Sequence, residues 1–163
     1  MKNLNEFIQD FQSLTLSTND KQNNPFSSYA PFVKDNNHYY VFISDMAKHT
    51  HNLRENKNCS LFFIEDEKEC SNIFARKRAT IQCESIEFEK ETKEESNILE
   101  LFENKFDKKM VDMLKAMKDF HIFQFKPFYG EATFGFGKAY NLGGEGFSDF
   151  VERESTGSGH GHK

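Results

Sequence analysis

Tryptophan is absent from this 163-residue chain, and proline occurs only three times. No apolar run is long enough to cross a bilayer, and the N-terminus does not resemble a signal peptide, so we expect neither a membrane segment nor export. The three cysteines, Cys59, Cys70 and Cys83, are an odd set without CxxC spacing. That set is typical of reduced thiols and argues against a disulfide framework or a zinc site. We therefore expect a cytoplasmic protein.

Basic residues are also scarce, with 21 Lys and Arg against 26 Asp and Glu and a net charge of −5. This balance argues against general nucleic-acid binding. The chain is long enough for one domain with a core of its own. Phenylalanine is abundant, with 19 residues, so we expect that core to be largely aromatic.

The spacing of apolar residues predicts mostly strands, with a few helices. Helical spacing predicts a helix over residues 3–14, a short helix over 47–56 and two helices within 92–117, broken near Phe106. Alternation predicts seven strands, over residues 14–18, 27–33, 38–44, 58–64, 78–88, 120–127 and 133–140. Short strands at regular spacing favour a small antiparallel barrel, spanning residues 1–150 and followed by a flexible tail over 151–163. Aromatic surface beyond one small core favours a homodimer.

The tail is rich in glycine and carries two histidines, His160 and His162. Neutral imidazole is a common metal ligand and a standard axial ligand of haem iron. Flanking glycines allow the backbone to bend around a flat cofactor. The alternative is a disordered end or a cloning remnant.

Three cations, Arg76, Lys77 and Arg78, lead into the fifth predicted strand. Guanidinium groups pair with phosphate or with carboxylates in a bidentate manner, so the cluster suits an anionic ligand. The alternative is a charged strand edge.

Two further positions are candidates for ligand contact. His49 and Arg54 lie on the predicted helix over 47–56, where the alternative is a solvated helix face. Asp119 precedes the sixth strand, where a carboxylate can accept the N–H of an iron-bound imidazole; propensity alone favours a turn residue.

Six segments of the chain, taken in order, resemble the bacterial HugZ/HutZ-type haem oxygenases, which belong to the pyridoxamine-phosphate-oxidase-like, FMN-binding split barrels. The segments are 15–18 (TLST), 28–32 (SYAPF), 49–56 (HTHNLREN), 64–67 (IEDE), 73–78 (IFARKR) and 135–140 (GFGKAY). The last two are the most specific. The resemblance extends over nearly the whole chain.

The resemblance implies a mainly β, six- or seven-stranded split barrel with peripheral helices, forming a homodimer with haem at its interface. It implies His160 as the axial iron ligand, with His162 as the alternative. Arg78, with Arg76 and Lys77 beside it, is implied to meet the haem propionates, and His49 is a further candidate contact. Asp119 is implied to bond the ligand histidine of the partner subunit.

The implied activity is haem degradation with O2 and electrons from an external reductase or reductant, yielding a biliverdin-type tetrapyrrole and iron. One alternative is an FMN-binding oxidoreductase, in which Arg76, Lys77 and Arg78 hold the flavin phosphate. Another is a non-catalytic haem storage or delivery protein.

Overall fold

The structure is a computed structural model that describes residues 4–153. This part of the chain forms eight strands and four helices. The strands are β1 (Ser13–Asn19), β2 (Pro25–Asp35), β3 (His38–Ser44), β4 (Asn58–Ile64), β5 (Arg78–Glu87), β6 (Phe120–Thr133), β7 (Ala139–Gly143) and β8 (Asp149–Glu152). The helices are α1 (Leu4–Ile8), α2 (Lys48–Glu55), α3 (Lys93–Lys105) and α4 (Lys108–Ala116).

Six of the strands close into a barrel. They follow the order β3-β2-β1-β4-β5-β6, and β3 pairs with β6 to complete the circle. All of these pairings are antiparallel, with Val41 opposite Phe123 at the closing seam. Closure leaves no unpaired edge among these strands, which suits their apolar sequences. The predicted split barrel with peripheral helices is confirmed, with one more strand than expected; the homodimer stays a prediction.

Strand β6 pairs with the barrel strand β3 in its first half and with β7, outside the barrel, at its end. Its first half, Phe120–Phe125, pairs with β3, and its last residues, Gly130–Thr133, pair with β7. β5 accompanies β6 along its other edge through both halves. β7 and β8 therefore form an outer ribbon that continues the sheet beyond the barrel.

Aromatic side chains fill the barrel. Phe63 is 1% exposed, and its ring packs edge-on against Phe11 and Phe32 with centroids 5.5 and 5.4 Å away. A second cluster lies outside the barrel wall, where Phe42 of β3 meets Phe102 of α3. Burial of these faces holds α3 and α4 against the barrel, because amphipathic helices are stabilised mainly by the apolar face they bury.

Two sequence predictions about element boundaries are wrong. Residues 133–140 do not form one strand: β6 ends at Thr133, a turn follows, and β7 begins at Ala139. Gly135 and Gly137 have φ angles of 126° and 72°, which extended strands do not adopt. The first helix ends at Ile8 and not at Leu14, because Leu14 is a buried residue of β1.

Cys59 and Cys83 lie opposite each other on β4 and β5 as buried free thiols, and Cys70 is also free. Burial raises the pKa of the Cys59 thiol to about 12, so it behaves as a small core residue. Among the helices of residues 4–153, none has the length and apolar content needed to span a membrane. The barrel sheet and ribbon extend to Glu152, so the predicted tail over 151–163 begins inside β8.

Candidate functional site

The candidate residues lie at two opposite ends of β6. Arg78 begins β5 and is paired with Thr133, the last residue of β6. Asp119 immediately precedes Phe120, the first residue of the same strand. Because β6 has 14 residues, roughly 40 Å of strand separates the two ends.

The three cations of residues 76–78 differ in what they contact. Arg76 pairs with Glu67 at 3.0 Å and donates from Nε to the carbonyl of Glu65 at 2.9 Å. Lys77 pairs with Glu65 at 3.3 Å. Arg78 donates to the Arg76 carbonyl at 3.1 Å and has no ion pair within residues 4–153. Of the three, only Arg78 keeps an unneutralised guanidinium for an anionic ligand.

A cavity of about 820 Å³ lies beside Arg76 and Lys77, on the side of α1. Its lining includes five acidic residues, Asp10, Glu65, Asp66, Glu67 and Glu69, and three basic residues, Lys68, Arg76 and Lys77. Acidic residues outnumber basic ones, which disfavours a ligand that carries propionates or a phosphate. The cavity is therefore a poor candidate for the haem or flavin site, and Arg78 is not among its lining residues.

Asp119 is hydrogen-bonded to residues 44 and 45 at the end of β3, here called the Asp119 corner. Its Oδ2 accepts the hydroxyl proton of Ser44 at 2.6 Å, and its carbonyl accepts the N–H of Asp45 at 2.8 Å. No partner of its Oδ1 occurs within the described part of the chain, and the residue is only partly buried. A half-buried carboxylate with one fixed and one open oxygen fits an acceptor for an incoming imidazole N–H.

His49 lies inside the protein and not on a solvated helix face. It is 8% exposed, and its Nδ1 is 2.9 Å from Ser28 Oγ on β2. Burial lowers the pKa of His49, so the folded protein favours the neutral ring. A contact between His49 and haem stays a prediction.

This burial predicts a pH dependence of stability. An unfolded histidine binds a proton below about pH 6.5, whereas buried His49 takes it up only at lower pH. The stability that His49 contributes is therefore present above about pH 6.5 and is lost as the pH falls towards its folded pKa. Urea unfolding from pH 7 to pH 5 should show a shallower decline for His49→Gln than for the wild type. Parallel declines would contradict this assignment.

Four ionisable side chains near Asp119 form a closed cluster, here called the ion-pair ring: Asp45, Arg54, Glu87 and His121. Arg54 donates from Nη1 to Asp45 Oδ1 at 2.7 Å. It donates from Nε and Nη2 to the two carboxylate oxygens of Glu87 at 2.8 and 2.6 Å. The two nitrogens of His121 lie 2.9 Å from Asp45 Oδ2 and 2.9 Å from Glu87 Oε1. Sequence reasoning singled out Arg54 but not its three partners in the ring, because they come from separate segments of the chain.

His160 and His162 lie outside the described residues, so their roles stay predictions. The point at which the tail leaves the fold is described. The N–H of Arg153 bonds the carbonyl of Ala139 at 2.9 Å, and its Nε bonds Asn141 Oδ1 at 2.7 Å. Arg153 also forms an ion pair with Glu131 of β6.

The fold and its comparisons define the class of protein. Residues 1–134 match the family described as Pyridoxamine 5'-phosphate oxidase. The chain therefore belongs to this family, whose split-barrel architecture its six closed strands reproduce.

Individual relatives indicate which members of this family the chain is most useful to compare with. Heme oxygenase HutZ of Vibrio cholerae serotype O1 is 36% identical over 151 residues, which is 93% of this chain and 85% of HutZ. A crystal structure of HutZ from Vibrio cholerae, described as a heme storage protein, has 34% identity and a TM-score of 0.77 over 81% of this chain and 94% of that one. Campylobacter jejuni ChuZ has 27% identity and a TM-score of 0.84 over 98% of this chain, which spans 64% of ChuZ.

Proposed function

We propose that this protein is a cytoplasmic haem oxygenase that binds haem between two copies of the chain and degrades it. The observation that carries the proposal is the free guanidinium of Arg78, which lies at the end of the sheet from which the histidine-bearing tail departs. The extent of the match to HutZ, a relative named as a heme oxygenase, supports the same reaction.

Arg78 and the start of the tail lie in one row across the sheet. Arg78 is opposite Thr133, Thr133 is opposite Ala139, and Ala139 bonds Arg153. Three strand spacings therefore separate Arg78 from Arg153, which is about 15 Å. His160 follows Arg153 by seven residues, a span of at most about 25 Å. One protomer can thus bring its tail histidine and Arg78 to the same haem.

Asp119 lies at the far end of β6, across roughly 40 Å of strand. That length exceeds the span of a stretched tail from Arg153 to His160. This separation, together with the family resemblance, supports an acceptor carboxylate from a second copy of the chain, and hence a homodimer. In a two-fold dimer each copy gives its Arg78 and tail to one site and its Asp119 to the other.

Haem is the substrate, and its own iron supplies the chemistry that activates O2 for attack on the ring. The protein's residues orient it. His160 would hold the iron. Arg78 would bind the propionates and orient the substrate. Asp119 would accept the imidazole N–H and make the imidazole a stronger donor. Electrons come from an external reductase or reductant.

The FMN alternative is less well supported by the same geometry. A flavin phosphate at this cluster would meet one free cation, because Arg76 and Lys77 are already paired with Glu67 and Glu65.

The three free cysteines support a cytoplasmic location, where thiols are kept reduced.

The test is to add haemin to the purified protein and then ascorbate under air with catalase present. We expect a Soret band of histidine-ligated haem that decays as a biliverdin-like band rises and iron is released. His160→Ala should abolish the band, and His162→Ala is the matched control. A stable band in ascorbate would indicate haem storage, and no band at all would indicate the FMN alternative. A spectrum that survives loss of both histidines would refute the ligand assignment.

A further inference from the structure

The ion-pair ring lies next to Asp119 and is attached to it. Asp45, a member of the ring, donates its backbone N–H to the Asp119 carbonyl at 2.8 Å. Ser44, its neighbour, donates its hydroxyl proton to Asp119 Oδ2 at 2.6 Å and accepts the N–H of Met46 at 3.0 Å. His121 follows Asp119 by two residues. Both the backbone and the side chain of Asp119 are thus fixed to a segment that the ring holds.

Stability alone is a weak reason for such a ring. The side chains of Arg54, Asp45 and Glu87 are 33, 38 and 30% exposed. Pairs at such exposure typically contribute about 0–1 kcal/mol each, and ordering a long arginine opposes part of that gain. The ring provides directionality, because a planar guanidinium that donates from three nitrogens fixes two carboxylates at defined angles.

The two carboxylates of the ring stay charged at neutral pH. Arg54, and after it His121, holds the pKa of the Asp45 carboxyl below its usual range. Arg54 likewise lowers the pKa of Glu87. Without Arg54, Asp45 and Glu87 lose the guanidinium that joins them. The corner that carries Asp45 and, through it, Asp119 would then be held less firmly.

We propose that Arg54 is a positioning residue of the haem site, acting through the ion-pair ring to fix the direction in which Asp119 accepts the imidazole N–H of the partner subunit. This inference rests on the proposed function. Ser44 occupies Oδ2 of Asp119, so the orientation of the whole carboxylate decides where Oδ1 lies.

The test reads the iron–imidazole bond directly. The full-length protein is loaded with haem, reduced without O2, and its iron–imidazole stretching frequency is measured by resonance Raman spectroscopy. Asp119→Asn sets the size of the shift when a neutral amide replaces the charged acceptor. We expect Arg54→Gln to shift the band in the same direction and to slow haem degradation by roughly tenfold. Arg54→Lys keeps the positive charge but not the planar, forked guanidinium. Compared with Arg54→Gln, it should recover part of the band position and part of the degradation rate.

Lys115→Gln is the matched control. Lys115 is 38% exposed and pairs with Glu103 at 2.8 Å, on α4 and α3 and away from the Asp119 corner. It should lose a comparable ion pair without shifting the band. If Arg54→Gln does not fold, Glu87→Gln replaces it, because it keeps the shape of the side chain and removes the charge.

The outcomes are distinct. If the band is shifted in Asp119→Asn but not in Arg54→Gln, the positioning role of Arg54 is overturned. The ring would then serve only to hold four segments of the chain together. An unshifted band in both variants would also overturn it, because Asp119 would not be the acceptor. A wild-type protein that binds no haem would instead refute the proposed function.

Discussion

Mixing Arg78→Ala protomers with Asp119→Ala protomers is expected to restore roughly a quarter of wild-type haem degradation, although each variant alone has almost none. Each substitution removes a charged hydrogen-bonding group from the site, for which a loss of about tenfold or more is expected. In a mixed dimer, one site carries both substitutions. The other receives Arg78 from one protomer and Asp119 from its partner, and is intact. Half of the dimers are mixed at equal ratio, and half of their sites work.

The measurement co-expresses two differently tagged variants and uses biliverdin-type products or released iron as the readout. Purification over both tags then isolates the mixed dimers, whose expected activity is roughly half that of the wild type. Arg76→Ala replaces Arg78→Ala in the control, because Arg76 is already paired with Glu67 and its loss should leave the Arg76→Ala homodimer active. Mixed dimers without activity would mean that Arg78 and Asp119 of one protomer serve the same site. That result would contradict the placement of the two residues at opposite ends of β6.

The second large effect concerns the aromatic interior of the barrel. Phe63→Ala should lower the free energy of unfolding by about 3–5 kcal/mol, because it removes a fully buried ring and leaves a cavity. The rings of Phe11, Phe32 and Tyr39 lose their shared neighbour. For a chain of this size the melting temperature should fall by roughly 10 °C.

Urea or thermal unfolding checks this expectation. Phe136→Ala is the matched control, because its ring is 82% exposed and surface changes of this kind alter stability by about 0.5 kcal/mol or less. Loss of less than 1 kcal/mol in Phe63→Ala would mean that the interior tolerates a void there and that the aromatic contacts are not needed for the barrel.

Local patterns predicted most of the barrel. The bounds of β3 and β4 match the expected strands over 38–44 and 58–64 residue for residue, because each is a short apolar run with several aromatic residues between polar segments. The break between α3 and α4 was also predicted, and Asp107 caps the second helix through the N–H of Met110 at 2.9 Å. The glycine-rich stretch misled the prediction, because its composition does not reveal that Gly135 and Gly137 turn the chain.

The candidate site was less predictable. Residue types and the family resemblance pointed to Arg78 and Asp119, but the reason to prefer Arg78 over Arg76 lies in glutamates that approach Arg76 in the folded chain. The ion-pair ring joins residues separated by 9, 33 and 76 positions, so no local motif marks it. Burial of His49 beside Ser28 likewise depends on a contact between residues 21 positions apart in the chain.

Because β6 pairs both within the barrel and with the outer ribbon, the two parts of the sheet differ in how readily their hydrogen bonds can open. The outer ribbon is attached to the barrel by four residue pairs along one stretch of β6, whereas β3 and β5 clasp the rest of that strand from both sides. We therefore expect backbone amides in β7 and β8 to exchange with solvent deuterium through local opening, and those in β3 and in the first half of β6 to exchange mainly when the barrel unfolds. The tail that is proposed to carry the haem ligand follows directly after this ribbon, so we expect haem to exchange through local opening of the ribbon and without unfolding of the barrel.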